Sequence, residues 1–169
     1  MPEYRDAGVI ALYAASPVEL PTRQLFERAH HEGRRCAFPV VRRGRRLEFA
    51  IVSCWENLHG GRYGLLEPQD GSEIISIVDS DLVLVPGLAF DLHGGRLGQG
   101  GGYYDRALTG LRSVQAHVPV FGMAHDWQVV ESVPRGERDV LMDGVVTELR
   151  VVRVERGGGT GVTRESSER

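Results

Sequence analysis

The chain has 169 residues, of which 41% are hydrophobic and 25% are charged, a size and composition typical of one globular domain. All 20 basic side chains are arginines, which excludes Schiff-base lysines, lysine general bases and the lysine of a P-loop. The formal net charge of -3 provides no positive field for nucleic acid or for an anionic membrane surface.

The first half of the chain predicts the start of a βαβ unit followed by a hairpin. The apolar run at residues 8–14 is typical of a strand buried on both faces of a sheet. Residues 22–33 carry one apolar helical face and end on a glycine. Residues 36–41 and 47–52 predict two more strands, joined by a basic turn at residues 42–46. That turn could contact a phosphate, but a solvated loop is the favoured interpretation.

The second half of the chain combines one long loop with further strands and helices. Residues 53–80 are rich in turn residues and predict an irregular excursion, of a length that usually serves function. The remaining elements are strands at 81–86, 118–124 and 145–154, a helix at 103–111, and a short helix or turn at 127–133. We expect an α/β fold, a three-layer α/β/α single domain with a largely parallel sheet over residues 1–156, and a disordered tail over residues 157–169.

Apolar content and cysteine placement give expectations about location and redox state. The longest apolar runs, at residues 82–86 and 118–124, are far shorter than the roughly 20 residues of a membrane helix. We therefore expect a cytoplasmic protein that binds neither membranes nor nucleic acid. Cys36 and Cys54 lie beside apolar residues without metal-ligand spacing, so we expect two buried, reduced thiols.

A glycine-dense loop between a predicted strand and a predicted helix is the most informative stretch. Glycines at four of the five positions 98–102 lack Cβ atoms, so backbone N–H groups can approach an anion closely. Arg96 and Arg106 flank the loop and can fork onto phosphate or carboxylate oxygens. Asp105 is a hard oxygen ligand suited to a Mg²⁺ that bridges phosphates. The loop differs from a Walker A motif and from the dinucleotide fingerprint, so its composition leaves open a phosphate-binding loop or a purely structural turn.

Two runs of sequence resemble the signature of the 5-formyltetrahydrofolate cyclo-ligases, also called 5,10-methenyltetrahydrofolate synthetases. These runs are VPGLAFD at residues 85–91 and RLGQGGGYYDR at residues 96–106. Supporting segments in the family's order are Ile10 to Tyr13, Glu19, Thr22, Gly64, Glu67 with Pro68, Pro134, Asp139 and Asp143. The similarity extends over about residues 8–150.

The resemblance implies a fold of the cyclo-ligase, sugar-phosphate isomerase and CoA-transferase type. It implies a ligase that uses ATP and Mg²⁺ to convert 5-formyltetrahydrofolate to 5,10-methenyltetrahydrofolate, with release of ADP and phosphate. The implied partners are a reduced folate and ATP, and the expected state is a monomer or a weak homodimer. The implied chemistry is phosphoryl transfer to the formyl oxygen, which requires positioning and charge stabilisation more than covalent help from the protein.

The resemblance also implies what individual residues do. Arg96 and Tyr103 would be catalytic, Glu19 would contact the pterin, and Asp105 with Asp139 would hold Mg²⁺. The implied ATP-binding residues are Arg96, Leu97, Gly98, Gln99, Gly100, Gly101, Gly102, Tyr103 and Tyr104. The implied substrate-binding residues are Glu19, Gln99, Gly100, Gly101, Gly102 and Tyr103.

Two differences from the family pattern leave three hypotheses open. Family members typically begin with a basic amphipathic helix that serves the ATP phosphates, and we expect this chain to lack it, because its first predicted strand starts near Gly8. Arg138 stands where many members have histidine. One hypothesis is an active cyclo-ligase in which Arg5, Arg96 or Arg138 compensates. A second is a catalytically weakened relative that binds folate or nucleotide. A third, an isomerase-like or CoA-transferase-like protein, is disfavoured by the specific glycine-loop sequence.

Overall fold

A mostly parallel β-sheet forms the centre of the structure, a computed structural model that describes residues 1–61, 64–113, 117–137 and 139–154. The helices are α1 (Pro2–Asp6), α2 (Arg23–His31) and α3 (Tyr103–Thr109), with short 3-10 helices at Trp55–Asn57, Ile77–Asp79, Gly110–Ser113 and Asp126–Gln128. The strands are β1 (Val9–Ala11), β2 (Arg35–Arg42), β3 (Arg46–Val52), β4 (Leu58–Gly60), β5 (Leu66–Pro68), β6 (Ile74–Ile75), β7 (Leu82–Val85), β8 (Ala89–Asp91), β9 (Arg96–Leu97), β10 (Val120–Met123), β11 (Val129–Val130), β12 (Gly144–Val146) and β13 (Val151–Arg153). The tail predicted at residues 157–169 lies outside the described residues.

The main sheet of the described chain has eight strands in the order β13-β12-β10-β7-β1-β2-β3-β6. The five central strands, from β12 to β2, are parallel to one another, whereas β13, β3 and β6 pair antiparallel at the two edges. Two small sheets lie beside it, β11-β8-β9 and β4-β5. The predicted α/β fold with a largely parallel sheet is confirmed.

Alternate residues of the central strands enter two separate cores, one on each face of the sheet. Ile10 and Leu82 belong to the core that contains Phe26 of α2, while their neighbours enter the opposite core together with Leu108 of α3. Successive side chains of a strand point to opposite faces, so helices on both faces give three layers. The predicted three-layer architecture is therefore present.

The predicted helix and hairpin of the first half form close to their expected positions. Phe26 and Ala29 are buried, and Gly33, just after α2, adopts a φ of +79° that favours glycine. Strands β2 and β3 pair antiparallel from Cys36 opposite Val52 to the turn that joins them. Among the described residues, no helix has the length and apolar content to cross a membrane.

Three predictions about local structure are wrong. The segment 145–154 is not one strand but the β12–β13 hairpin, because the Thr147 hydroxyl accepts hydrogen bonds from the backbone N–H groups of Leu149 and Arg150 and reverses the chain. The loop at 53–80 contains β4, β5 and β6. Cys54 is exposed, with its Sγ 2.6 Å from Oε2 of Glu56. Cys36 is buried as predicted, and burial raises the pKa of its thiol to about 12, so this thiol is inert.

The close approach of the β12–β13 hairpin to β10 gives a prediction about stability. A Cβ on Gly144 would overlap the backbone carbonyl oxygen of Val152 and lie 2.6 Å from a ring carbon of Phe121. We expect Gly144→Ala to lower the free energy of unfolding by about 2 kcal/mol or more, because backbone atoms must move. Urea denaturation measures the change. Gly60→Ala is the matched control, since its Cβ would meet nothing within 4 Å. Equal stability of the two variants would contradict this packing.

Candidate functional site

A cavity of about 750 Å³ opens where parallel strands of the main sheet end. Tyr13 and Ala14, shortly after β1, and Pro86 and Gly87, directly after β7, form part of its wall. The glycine-dense loop that precedes α3 forms another part. In open α/β sheets, ligands bind outside the carboxyl ends of the strands, so the position of the cavity is that of a ligand site.

Every residue predicted to bind ATP, substrate or metal lies in the lining of this cavity. These residues are Glu19, Arg96, Leu97, Gly98, Gln99, Gly100, Gly101, Gly102, Tyr103, Tyr104, Asp105 and Asp139. They come from three separate stretches of the chain. The fold therefore brings the predicted residues together around one space large enough for small-molecule substrates.

The lining also contains residues outside the predicted ATP-binding, substrate-binding and metal-binding sets. They are Tyr13, Ala14, Pro39, Val41, Arg45, Leu47, Leu65, Leu66, Glu67, Pro86, Gly87 and Pro134. Glu67 and Pro134 belong to segments that supported the family resemblance. Arg45 lies in the basic turn between β2 and β3, for which a solvated loop was the favoured interpretation. The side chain of Arg45 is exposed, as that interpretation expects, and Arg45 also belongs to the lining of the cavity.

Arg96 and Asp105 form an ion pair in the wall of the cavity. Nη2 of Arg96 donates to Oδ1 of Asp105 over 2.8 Å, and the Arg96 side chain is only 6% exposed. The guanidinium lies 5.7 Å from the ring centroid of Tyr104. Its Nε is buried and has no hydrogen-bond partner among the described residues. The orientation of Arg96 is thus fixed by Asp105, while its Nε is a donor to which the described residues supply no acceptor.

Two tyrosines in the lining of the cavity, Tyr13 and Tyr104, are held in the neutral form. Burial raises the pKa of Tyr13 well above its ordinary value, and the negative charge of Glu19 adds to the effect. Burial also raises the pKa of Tyr104, which the positive charge of Arg96 only partly opposes. The Tyr13 hydroxyl lies 3.4 Å from the backbone carbonyl oxygen of Leu20, to which it donates. Both hydroxyls are therefore hydrogen-bond donors near neutral pH rather than bases.

The backbone of the glycine loop needs glycine at two positions in particular. Gly100 has a φ of +78° and Gly102 has a φ of +61°, in the left-handed region that other residues rarely adopt. Gly102 directly precedes α3. A Cβ at Gly98 would lie 2.9 Å from Nη1 of Arg96. The glycines thus let the loop turn tightly and let the Arg96 guanidinium lie against its backbone.

Two of the carboxylates in the cavity accept hydrogen bonds from backbone N–H groups. Oε2 of Glu19 accepts from the N–H of Ser16 over 2.7 Å, and Oδ2 of Asp139 accepts from the N–H of Gly136 over 2.7 Å. Within the described parts of the chain, no group of three or more His, Cys, Asp or Glu side chains could hold a metal ion. Mg²⁺ bound to nucleotides typically takes one or two carboxylates and completes its shell with phosphate and water oxygens. Asp105 and Asp139 fit that kind of site.

A buried aspartate outside the cavity joins two segments of the chain that each adjoin a lining residue, Arg96 and Pro134. Asp91 is fully buried, and its carboxylate accepts hydrogen bonds from the backbone N–H groups of His93, Gly95 and Val133. It also forms an ion pair with Arg135 at 2.8 Å. Burial opposes ionisation of Asp91, but Arg135 and the three N–H donors hold its pKa below the ordinary value. The sequence showed Asp91 only as the end of a signature run, without this connection.

The three arginines that the sequence analysis named as candidate phosphate contacts, Arg5, Arg96 and Arg138, differ in their positions. Arg96 lines the cavity, whereas Arg5 lies in α1 and is not among the lining residues. Arg138 lies outside the described residues. Arg106, expected to fork onto an anion, instead donates from Nε to the carbonyl oxygen of Arg45 and from Nη2 to that of Gly101. Its guanidinium therefore binds backbone on both sides.

Comparisons with known proteins agree on one family. Residues 1–148 match the model of the 5-formyltetrahydrofolate cyclo-ligase family. The 5-formyltetrahydrofolate cyclo-ligase of Escherichia coli is 34% identical over 148 residues, which cover 86% of this chain and 80% of the relative. A probable 5-formyltetrahydrofolate cyclo-ligase of Schizosaccharomyces pombe is 30% identical over 165 residues, covering 90% of this chain and 81% of that protein.

Solved structures give the same result at the level of the fold. The 5,10-methenyltetrahydrofolate synthetase of Aquifex aeolicus superimposes with a TM-score of 0.77 at 34% identity, covering 95% of this chain and 79% of that one. The corresponding protein of Mycoplasma pneumoniae has a TM-score of 0.65 at 22% identity, covering 92% of this chain and 77% of that one. The predicted resemblance is confirmed, and the chain belongs to the 5-formyltetrahydrofolate cyclo-ligase family.

Proposed function

We propose that the protein converts 5-formyltetrahydrofolate to 5,10-methenyltetrahydrofolate with ATP and Mg²⁺, releasing ADP and phosphate. One observation carries the proposal: a single cavity is lined by the carboxylate of Glu19, by the glycine loop with Arg96, and by Asp105 and Asp139. A carboxylate suits the N–H donors of a pterin. A glycine loop with an arginine suits phosphates. The family to which the chain belongs supports the same reaction.

The proposed reaction has two steps. The formyl oxygen attacks the γ-phosphorus of ATP, the bond to the bridging oxygen breaks, and ADP leaves. N10 of the folate then attacks the activated formyl carbon and loses its proton, and the carbon–oxygen bond breaks to release phosphate. Phosphorylation is needed because an amide-like oxygen is a poor leaving group. The protein's contribution is to align the two substrates and to stabilise the charge on the transferred group.

Several side chains of the cavity match these requirements. We assign Arg96 and Tyr103 to the reacting groups, because both line the cavity at the glycine loop and the orientation of Arg96 is fixed by Asp105. The neutral hydroxyl of Tyr104 adds a hydrogen-bond donor beside them. Water must be kept away from the activated formyl group, and Leu97 supplies part of an apolar wall.

Asp105 and Asp139 are the residues that would hold Mg²⁺. When bound, the ion would neutralise negative charge on the phosphates. The N–H of Gly136 donates to the carboxylate of Asp139 and so helps to orient it. Asp105 is oriented by Nη2 of Arg96. Two carboxylates that are 34 positions apart in sequence thus line one cavity, a donor set that suits a nucleotide-bound cation.

A direct assay tests the proposed function. The purified protein is mixed with Mg-ATP and 5-formyltetrahydrofolate, and the near-ultraviolet absorbance of the methenyl product is followed. We expect product formation that depends on both ATP and Mg²⁺. Absence of product, with the folate still raising the melting temperature of the protein, would contradict catalysis and support a binding protein. Failure to bind either substrate would contradict both hypotheses.

Glu19 gives a prediction about substrate recognition. We expect Glu19→Gln to raise KM for 5-formyltetrahydrofolate roughly 10-fold to 100-fold and to change KM for ATP by less than about twofold, because the charge that pairs with the pterin N–H donors is lost. The Ser16 N–H can still donate to the amide oxygen, so the loop should keep its shape. Glu27→Gln, on the exposed face of α2, is the control. An equal effect on both substrates would argue against a pterin contact.

A further inference from the structure

The tip of the β2–β3 hairpin brings an arginine into the cavity. The turn at residues 42–46 contains four arginines around Gly44. Arg42 is paired with Glu48 at 2.8 Å, and Arg43 is exposed and is not among the lining residues. Arg45 lines the cavity although its side chain is exposed to solvent. Of these four arginines, Arg45 alone is among the lining residues, and Arg43, on the other side of Gly44, provides an internal comparison.

A single guanidinium fastens this tip to the glycine loop. Arg106 donates from Nε to the carbonyl oxygen of Arg45 over 2.9 Å and from Nη2 to the carbonyl oxygen of Gly101 over 2.7 Å. The same guanidinium lies 5.7 Å from the ring centroid of Tyr103. Arg45 itself has a φ of +57°, a conformation that persists where surrounding contacts impose it. Arg106 thus fixes the distance between the backbone of Arg45 and the loop proposed to bind phosphates.

Arg45 is a cation without a described partner in a cavity that is lined by several carboxylates. Among the described lining residues, the cations are Arg45 and Arg96, while four carboxylates are present, those of Glu19, Glu67, Asp105 and Asp139. Arg96 is almost fully buried and paired with Asp105. The guanidinium of Arg45 forms no ion pair or hydrogen bond with any described residue. A polyanion that enters a cavity rich in carboxylates requires such an uncommitted cation.

We propose that Arg45 binds the triphosphate of ATP from the hairpin side of the cavity, and that Arg106 is the positioning residue that holds it there. The proposal rests on the proposed function, because ATP is a substrate only in that reaction. The triphosphate is favoured over the carboxylates of the folate because it carries more negative charge, which an unpaired cation attracts more strongly. A guanidinium suits phosphate oxygens in particular, since its N–H groups can donate to two of them.

Binding calorimetry tests the contact without turnover. The full chain is titrated with Mg-ATP and, separately, with Mg-tripolyphosphate, in the absence of folate. We expect Arg45→Gln to raise both Kd values roughly tenfold and Arg43→Gln to change them by less than about twofold, although both variants lose one charge from the same turn. Equal Kd values of the wild type and Arg45→Gln for Mg-ATP would overturn the proposal. It would also be overturned if Arg45→Gln weakened the binding of 5-formyltetrahydrofolate and left the binding of Mg-ATP unchanged.

A double-mutant cycle tests the positioning by Arg106. We expect Arg106→Gln to weaken Mg-ATP binding in the wild type and to have little further effect in an Arg45→Gln background, because it acts through the same contact. A purely structural effect of Arg106 would weaken binding equally in both backgrounds and would overturn its assignment as a positioning residue. The melting temperatures of all variants show whether the fold is kept.

The outcomes for this proposal and for the proposed function are separable. If the wild type forms no methenyl product but binds Mg-ATP in a manner that depends on Arg45, the proposed reaction fails and the phosphate contact stands. If the wild type forms product and Arg45→Gln binds Mg-ATP normally, the reaction stands and the contact fails. If the wild type binds neither Mg-ATP nor Mg-tripolyphosphate, the contact is overturned.

Discussion

Asp105→Asn is expected to lower kcat by ~10³-fold or more while leaving the fold intact, because it removes a charge proposed to hold Mg²⁺ at the transferred phosphate. The asparagine amide oxygen can still accept the hydrogen bond from Nη2 of Arg96. The neighbouring guanidinium therefore keeps its orientation, and the loss reports charge rather than shape. The production of methenyltetrahydrofolate at saturating substrates measures kcat.

A matched control exists on another surface of the molecule. Asp126 pairs with Arg150 at 2.8 Å, and both Asp126 and Asp105 have side chains that are 25% exposed. Asp126 is not among the residues that line the cavity. Asp126→Asn should therefore leave kcat unchanged within about twofold. Near-wild-type turnover in Asp105→Asn would refute the assignment of Asp105 to the metal.

The second large effect concerns stability. We expect Asp91→Asn to lower the free energy of unfolding by about 3 to 5 kcal/mol, because an amide NH₂ group would face donors that now share a buried carboxylate. Those donors are the three backbone N–H groups and the Arg135 guanidinium. Arg135→Gln is the comparison, and it should cost less, since the N–H donors keep their acceptor and Arg135 is partly exposed. Urea denaturation at pH 7 gives both values.

If Asp91→Asn and Arg135→Gln lowered the free energy of unfolding equally, the ion pair rather than the backbone donors would account for the stabilisation. The pH dependence gives an independent check. The pKa of Asp91 is lower in the folded state than its ordinary value, so its contribution is fully present above about pH 4 and is lost as the pH falls through the folded-state pKa. Below about pH 4 the wild type should lose stability more steeply than Asp91→Asn.

The layers and the central strands could be predicted from the sequence because they depend on local apolar patterns. All four residues of β7 are buried, as a short apolar run bounded by Asp81 and Pro86 indicates. The strand predicted at 145–154 failed because Thr147 turns the chain through its own hydroxyl. Apolar alternation continues through that turn, so periodicity alone could not reveal the reversal.

The residues of the candidate site likewise fall into those that a sequence motif predicts and those whose place depends on distant contacts. The lining residues of the glycine loop follow from a contiguous motif, whose family resemblance also identified Glu19 and Asp139. The sequence left open a phosphate contact for the turn at residues 42–46 but could not single out Arg45, whose backbone is held by Arg106, 61 positions away in sequence. The carboxylate of Asp91 likewise joins Val133, 42 positions away. Contacts of this kind have no signature in a single sequence, because they arise only when separate segments pack together.

The edges of the main sheet have a consequence for self-association. A parallel centre with apolar residues on both faces would be a template for pairing with other copies if its edges were long and open. In the described chain the edge strands are β6 and β13, of only two and three residues, and Arg153 in β13 is paired with Glu3 of α1. Because both edge strands are short, they offer few backbone groups for pairing with another molecule. One of them, β13, also carries a charged side chain that is already paired within the chain. Growth of this sheet from one molecule into the next is thereby disfavoured.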